Sequence, residues 1–338
     1  MLLEYLDINT SNFIKNNIKT KLLKYPSFME PKPTTYRFDF KDTEAWTSHL
    51  NEKGFVVVGG VISEEDCQRI VGEMKECLKK LSPLLNDESS WTSDKNYPSM
   101  LHGGMVKYVG HAKFQWELRE KTAPVFAKIW NCKETDLVSS FDGFCFMNGK
   151  TKFKPQDPLS FVHSDQSPQR DFLWSVQSLV NLCDNGEEDG GLVIVPETHK
   201  IHREFFNKIG KENIKTDWYK FSEEEKKDPV FQNYVKVSGK AGDIMLCDSR
   251  TFHCNTVPTS QNVRACVYVC QIPKDKVSEE VKKKRGMAWM ARQSSNHHPG
   301  DGFSVSKFED NLAKEIAPIV SIGDDELSEL QKCLLYVE

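Results

Sequence analysis

Phe161-Val162-His163-Ser164-Asp165 is the stretch on which the reading of this chain turns. Phe161 and Val162 favour extended backbone, and side chains alternate between faces along a strand. His163 and Asp165 are two apart, so both point the same way. An imidazole nitrogen and a carboxylate oxygen on one face make half of a metal site. By itself a His-x-Asp tripeptide is weak, because it arises by chance in many chains.

The other half is found downstream. Gly242-Asp243 reads as a tight turn, and strand-like Ile244–Cys247 leads to Thr251-Phe252-His253, which sets His253 on a late strand of the same sheet system. Arg264 begins the next apolar run, Val263-Arg264-Ala265-Cys266-Val267-Tyr268-Val269, and a hairpin would return it to the same pocket. A charge at the edge of an apolar strand needs a partner, and a guanidinium matches a carboxylate. No protein carboxylate is paired with it in sequence.

Outward from this segment, Leu137–Met147, Leu159–His163, Trp174–Leu182, Leu192–Val195, Tyr234–Val237, Ile244–Cys247, Thr251–Thr256 and Val263–Ile272 all read as strands, with Asn185-Gly186 and Gly190-Gly191 as turns. The N-terminal third is different. Residues 1–25 carry a rough helical stripe, Pro26 to Pro33 is a loop, and Thr43–Lys53 is helical. Gly54-Phe55-Val56-Val57-Val58 is a short buried strand, and Ser63 opens a helix with Ile70, Val71, Met74, Leu78 and Leu81 on its apolar face. Residues 82–110 form a long loop containing His102, and 112–130 is helical with Pro124 opening a second segment. Strands after a helical third predict a mainly β chain with helical additions, a double-sheet jelly roll with helices packed on one side. One domain covers 1–338: a helical extension over 1–53, a core over 54–273 with a helical insertion at about 201–232, and a C-terminal extension over 274–338.

Forty-five Lys and Arg against 49 Asp and Glu give a formal net charge of -4, which argues against a dedicated nucleic-acid binder. The N-terminus lacks the pattern of a secretory signal, and no stretch approaches the roughly 20 apolar residues of a membrane span. Ten cysteines without a C-x-x-C pair argue against a zinc ribbon and suit buried, reduced thiols in the cytoplasm.

Two histidines and one carboxylate are the facial triad of non-haem Fe(II) oxygenases, which leaves three of six coordination positions open. A 2-oxo acid can take two and O2 the last, while Arg264 grips the far carboxylate of 2-oxoglutarate. Two other readings stand beside this one: a zinc hydrolase using the same His, Asp and His with water, and a non-catalytic jelly-roll module that binds a metal or ligand.

From about Gly54 to Pro273 the chain resembles the phytanoyl-CoA dioxygenase family of Fe(II)/2-oxoglutarate oxygenases. The resemblance is carried by Gly54–Val58 followed by Ile62-Ser63-Glu64-Glu65, by His163-Ser164-Asp165, by the segment from Gly190-Gly191-Leu192 to Pro196-Glu197-Thr198-His199-Lys200, and by His253 and Arg264. It implies a double-stranded β-helix (cupin-like) core, iron at His163, Asp165 and His253, and the 2-oxoglutarate carboxylate at Arg264. Gln177 and Asn255 are further implied contacts of the cosubstrate. Halogenating relatives lack the carboxylate, so Asp165 points to hydroxylation or oxidative demethylation.

Fold and iron site do not specify a substrate. A small molecule is favoured, with an acyl carrier or CoA thioester, a modified nucleobase or a protein side chain left open. Residues 282–299 read as a basic, solvated strand edge and loop. From the cluster Arg285, Arg292, His297 and His298 they read alternatively as a closure that contacts an anionic or polar substrate.

Overall fold

The computed structural model describes residues 36–81, 86, 104–148, 157–306 and 311–337. The expectations for the stripe over 1–25, the loop at 26–33 and His102 lie outside these residues. The strands are β1 Arg37–Asp39, β2 Phe55–Gly59, β3 Met105–Val106, β4 Leu137–Ser139, β5 Phe144–Met147, β6 His163–Ser164, β7 Val176–Asn181, β8 Gly191–Val195, β9 Tyr219–Lys220, β10 Val235–Lys236, β11 Ile244–Asp248, β12 Phe252–Thr256 and β13 Arg264–Pro273.

They form two sheets. The larger has eight strands in the order β1-β2-β11-β7-β13-β5-β3, with β4 paired to β13, and the smaller runs β10-β8-β12-β6-β9. Apart from the parallel β1–β2 pair, the ladders are antiparallel. Chain neighbours such as β11 and β12 lie in different sheets, so the chain winds between the two layers as a jelly roll does.

Alternation along the strands builds two separate apolar layers. Phe55 and Val57 of β2, Cys145 and Met147 of β5, Leu179, Met245, Cys247 and Cys266 face inward, where they meet Leu192 and Ile194 of the smaller sheet. Val56, Val58, Val180, Ile244, Leu246, Ala265 and Val267 face the other way. Their cover is helical: α1 Thr43–Lys53, α2 Glu64–Leu81 and α3 Lys113–Trp130 supply Trp46, Leu50, Ile70, Met74, Leu78, Leu118 and Phe126. The buried positions of α2 recur at helical spacing, Cys67, Ile70, Met74, Cys77, Leu78 and Leu81, and Ser63 Oγ accepts the Asp66 N–H at its start. The smaller sheet has its own backing, in which α4 Thr198–Lys208 contributes Phe205 and Phe206 against Val193, Val195 and Phe252.

Three local expectations change. Pro124 does not open a new helix, because α3 runs through it. The lost backbone bond is outweighed by burial of Phe114, Leu118, Ala123, Val125 and Phe126 along the same helix. The span 201–232 is helical only up to Lys208; it then yields β9, which pairs with β6, and short 3-10 turns. Lys282–Arg285 lies neither on a strand edge nor in a loop but in α5 Glu279–Met290, capped by the Ser278 hydroxyl. Two helices follow, α6 Asn311–Val320 and α7 Glu329–Leu335.

One glycine is demanded by its place. Gly54 ends α1 at φ +79, and a Cβ there would lie 2.5 Å from both His199 Nδ1 and Thr251 Oγ1. Its carbonyl accepts from Asp248 N and Thr251 Oγ1, which ties α1 to the turn just before His253.

Candidate metal centre

His163 and His253 face each other directly across the antiparallel β6–β12 pair, with ring centroids 4.4 Å apart. Asp165, one residue past β6, returns to the same face. Its Oδ1 lies 3.5 Å from His163 Nε2 and its Oδ2 3.2 Å from His253 Nε2. One ligand atom from each residue falls within 4.8 Å of the others. Ser164 alternates outward and bonds His202 Nε2 behind the sheet, 2.9 Å away.

The tautomers are set by the backbone. His163 Nδ1 is 2.8 Å from the Phe161 carbonyl and His253 Nδ1 is 2.9 Å from the Thr251 carbonyl. A carbonyl can only accept, so each Nδ1 carries a proton, which leaves each Nε2, on the Asp165 side, as the atom that can ligate a cation. Burial pushes the Asp165 carboxyl up, but His297, His163 and His253 more than offset it and hold it well below its ordinary range. Burial lowers His253, and contact with Asp165 outweighs that and raises it. These are the signs of a carboxylate with its counter-charge beside it, the place a divalent cation takes. The donor set of two neutral imidazoles and one carboxylate fits Fe(II) and leaves coordination positions open.

The neighbouring polar residues divide into two groups. Gln177 of β7 donates from Nε2 to Asp165 Oδ2 at 3.1 Å, so its observed partner is the metal-binding carboxylate. Arg264, only 3% exposed, donates from Nη2 to Asn255 Oδ1 at 2.9 Å. Arg264 Nη1 is buried and has no partner among the described residues. An orphaned guanidinium nitrogen on the inward face is costly unless an anion completes it, and the far carboxylate of 2-oxoglutarate fits that need.

Of the C-terminal cluster, one member reaches the centre. His297 Nε2 is 3.5 Å from Asp165 Oδ2, and burial pushes its imidazole down to about 4. Arg285 does not reach it, and its expectation as a substrate contact is corrected. Its guanidinium is fully buried and donates to the carbonyls of Ser139, Pro299 and Leu335, bonding α5 to β4 and α7. Arg292 is likewise turned away: it pairs with Asp324 at 2.6 Å and stacks over Trp289. His298 is buried beside His297. His199 bonds the Asn51 carbonyl, 3.0 Å away, and serves the join to α1.

Sequence reasoning passed over Trp218. Its ring centroid is 6.1 Å from that of His163 and 6.0 Å from that of Phe161, and the residue is 50% exposed. An aromatic between Asp217 and Tyr219 in a charged insertion carried no local signal; pairing of β9 with β6 is what brings it here.

Comparison with known proteins agrees with this construction. A family model for phytanoyl-CoA dioxygenase (PhyH) matches residues 50–266, which span the triad and Arg264. Ava biosynthesis cluster protein O of Aspergillus versicolor is 30% identical over 249 residues, covering 70% of this chain and 79% of that protein. A Dictyostelium discoideum protein named for phytanoyl-CoA dioxygenase is 26% identical over 264 residues, covering 67% and 74%. Among solved structures, hypothetical protein JW0805 of Escherichia coli superposes with a TM-score of 0.58 at 14% identity, over 89% of this chain and 85% of that one, which shows a shared fold. With more than half of its length matched by the family model and its metal-binding geometry in place, the chain belongs to the phytanoyl-CoA dioxygenase family.

Proposed function

We propose that this protein is an Fe(II)/2-oxoglutarate-dependent hydroxylase of a small molecule, with oxidative demethylation as the variant outcome when the carbon attacked bears a heteroatom. Its family uses Fe(II), 2-oxoglutarate and O2. The observation that carries the reading is the combination of two preset Nε2 donors and a carboxylate on the smaller sheet with a buried, incompletely bonded arginine that reaches Asn255 of β12 from the larger sheet.

His163, Asp165 and His253 would hold the metal, and Gln177 would fix the second oxygen of the carboxylate. Arg264, braced by Asn255, would bind the far carboxylate of 2-oxoglutarate. The bound iron with its cosubstrate supplies the power to oxidise a C–H bond as 2-oxoglutarate leaves as succinate and CO2. The chain's own contribution is to keep the donors rigid, wall the centre with Leu179, Ile194, Met245 and Cys247, and aim the substrate. A zinc hydrolase on the same triad would leave Arg264 without a task.

No helix among the described residues is long and apolar enough to cross a membrane, and the ten cysteines are free. We propose a cytoplasmic location, which the free thiols, seven of them buried, support. The test is release of labelled CO2 from 2-oxoglutarate by the Fe(II)-loaded protein in air. The expected result is slow, iron-dependent release that His253→Ala abolishes. Iron-independent release, or none from a protein that binds iron, would remove the oxygenase reading.

A further inference from the structure

Two side chains border the metal centre without serving it. Trp218 presents a half-exposed indole beside His163, and His297 brings an unpartnered nitrogen to Asp165. They come from elements 79 residues apart in the chain.

The nitrogen is the sharper clue. The His297 side chain is 26% exposed, yet its Nε2 atom is buried and has no hydrogen-bond partner among the described residues. Asp165 Oδ2 already accepts from Gln177, and at 3.5 Å the imidazole is too far for a good bond to it. Buried nitrogens are rarely left unpaired, so a group on an incoming molecule is the natural partner. Neighbouring cations are occupied: Lys107 pairs with Asp142 at 2.6 Å and Arg170 with Asp217 at 2.7 Å.

The indole is held in place although it is exposed. Asp217, its chain neighbour, accepts from Ser167 N at 3.1 Å and from both terminal nitrogens of Arg170. That locks the Trp218 turn to the loop following Asp165. The same loop carries Phe172, which is 53% exposed, with Gln166 Nε2 donating to its carbonyl. A large exposed aromatic on a braced segment beside an oxidising centre, as Trp218 is, is costly to leave in water and well shaped to stack on a flat molecule.

We propose that Trp218 and His297 are the substrate-positioning residues, and that the substrate is a flat aromatic or conjugated small molecule bearing a hydroxyl or carbonyl. The indole stacks on its face, and His297 Nε2 hydrogen-bonds its oxygen. Together they set a C–H bond near that oxygen toward the open side of the triad. This class excludes a purely aliphatic acyl chain as the group held at the centre. The inference rests on the oxygenase reading above.

The experiment is anaerobic equilibrium dialysis of the Fe(II)- and 2-oxoglutarate-loaded protein with three probes: 2-naphthol, naphthalene and 2-decalol. Formation of the visible iron–2-oxoglutarate charge-transfer band is recorded in parallel. We expect 2-naphthol to bind at least tenfold tighter than either naphthalene, which lacks the oxygen, or 2-decalol, which lacks the flat face. His297→Ala should weaken 2-naphthol about tenfold and leave naphthalene unchanged, with His297→Gln restoring most of the loss. Trp218→Ala should weaken both aromatics about tenfold, and Trp218→Phe should not. The band should be the same in wild type and all four variants. No binding of 2-naphthol, equal binding of 2-decalol, or unchanged binding by His297→Ala overturns the proposal. A band lost in the His297 variants overturns it too, by showing that the imidazole acts through the metal. A band missing from the wild type itself is the failure of the oxygenase reading instead.

Discussion

Arg264→Ala is the perturbation that tests the cosubstrate pocket most directly. The guanidinium is 3% exposed, is braced by Asn255 at 2.9 Å and retains a buried Nη1 without a partner. If that nitrogen completes its bonding on the far carboxylate of 2-oxoglutarate, the substitution removes a buried, charge-assisted contact. Truncating one partner of such a pair costs about 2–5 kcal/mol, much of it the penalty of leaving the other charge buried and unpaired. At 1.4 kcal/mol per factor of ten, the dissociation constant should rise by roughly 30-fold to a few thousand-fold. Arg264→Lys keeps the charge but offers a point donor in place of a fork, so its loss should be intermediate. Anaerobic titration of the Fe(II) protein with 2-oxoglutarate, read by the charge-transfer band, measures both. Saturation should need far more 2-oxoglutarate in the alanine variant, with iron affinity preserved because Arg264 touches none of the three ligands. An alanine variant that titrates like the wild type refutes the assignment and with it the reading of Nη1 as a vacant anion contact.

Three further outcomes are expected. His163→Ala should weaken Fe(II) by more than the roughly 10–100-fold that outer hydrogen-bond partners cost. Its fold should survive, because the ring's Nδ1 bonds only the nearby Phe161 carbonyl; metal titration beside thermal melting checks this, and retained iron binding would contradict the ligand assignment. Arg285→Ala should cost about 3 kcal/mol or more in urea unfolding, since each carbonyl left bare among Ser139, Pro299 and Leu335 costs about 1–3 kcal/mol; the iron–2-oxoglutarate band should persist, and an unchanged midpoint would sink the clamp. The metal-free protein should lose stability as pH falls from 7 to 5. Burial and then the Arg119 charge hold His111 well below its ordinary value, while burial and then Arg250 lower His202 to about 4. Below about pH 6.5 the unfolded chain therefore takes up protons that the native chain refuses, at up to about 2 kcal/mol per imidazole by pH 5. His111→Gln should flatten that slope by up to one proton, and a slope identical to wild type counts against it.

What could be read before folding was whatever short-range chemistry carries. Alternation placed His163 with Asp165, strand-forming runs marked β7, β8 and β11 to β13, and helical spacing marked α2, because each depends on residues only a few positions apart. The choice of His253 and Arg264 needed only their residue types and their place on late strands, although the hairpin expected between those strands does not form: β12 lies in the smaller sheet and β13 in the larger. Limits appeared wherever a local tendency met a distant partner. Pro124 argues for a break, yet packing along both halves of α3 keeps the helix whole. Arg285, Arg292 and His297 form one basic cluster in the sequence, and nothing local separates their roles.

Tertiary structure separated them. Arg285 is drawn to carbonyls that lie 146 and 50 residues away, Arg292 to Asp324, and His297 to Asp165. Trp218 came to the metal centre through one short antiparallel pair, β6 with β9. The sequence by itself determined the donor set and the strand faces that carry it, since residue type and twofold alternation are properties of the local chain. Which neighbours frame that donor set was decided by register and burial across the sheets, where unpaired buried groups must find partners far along the chain.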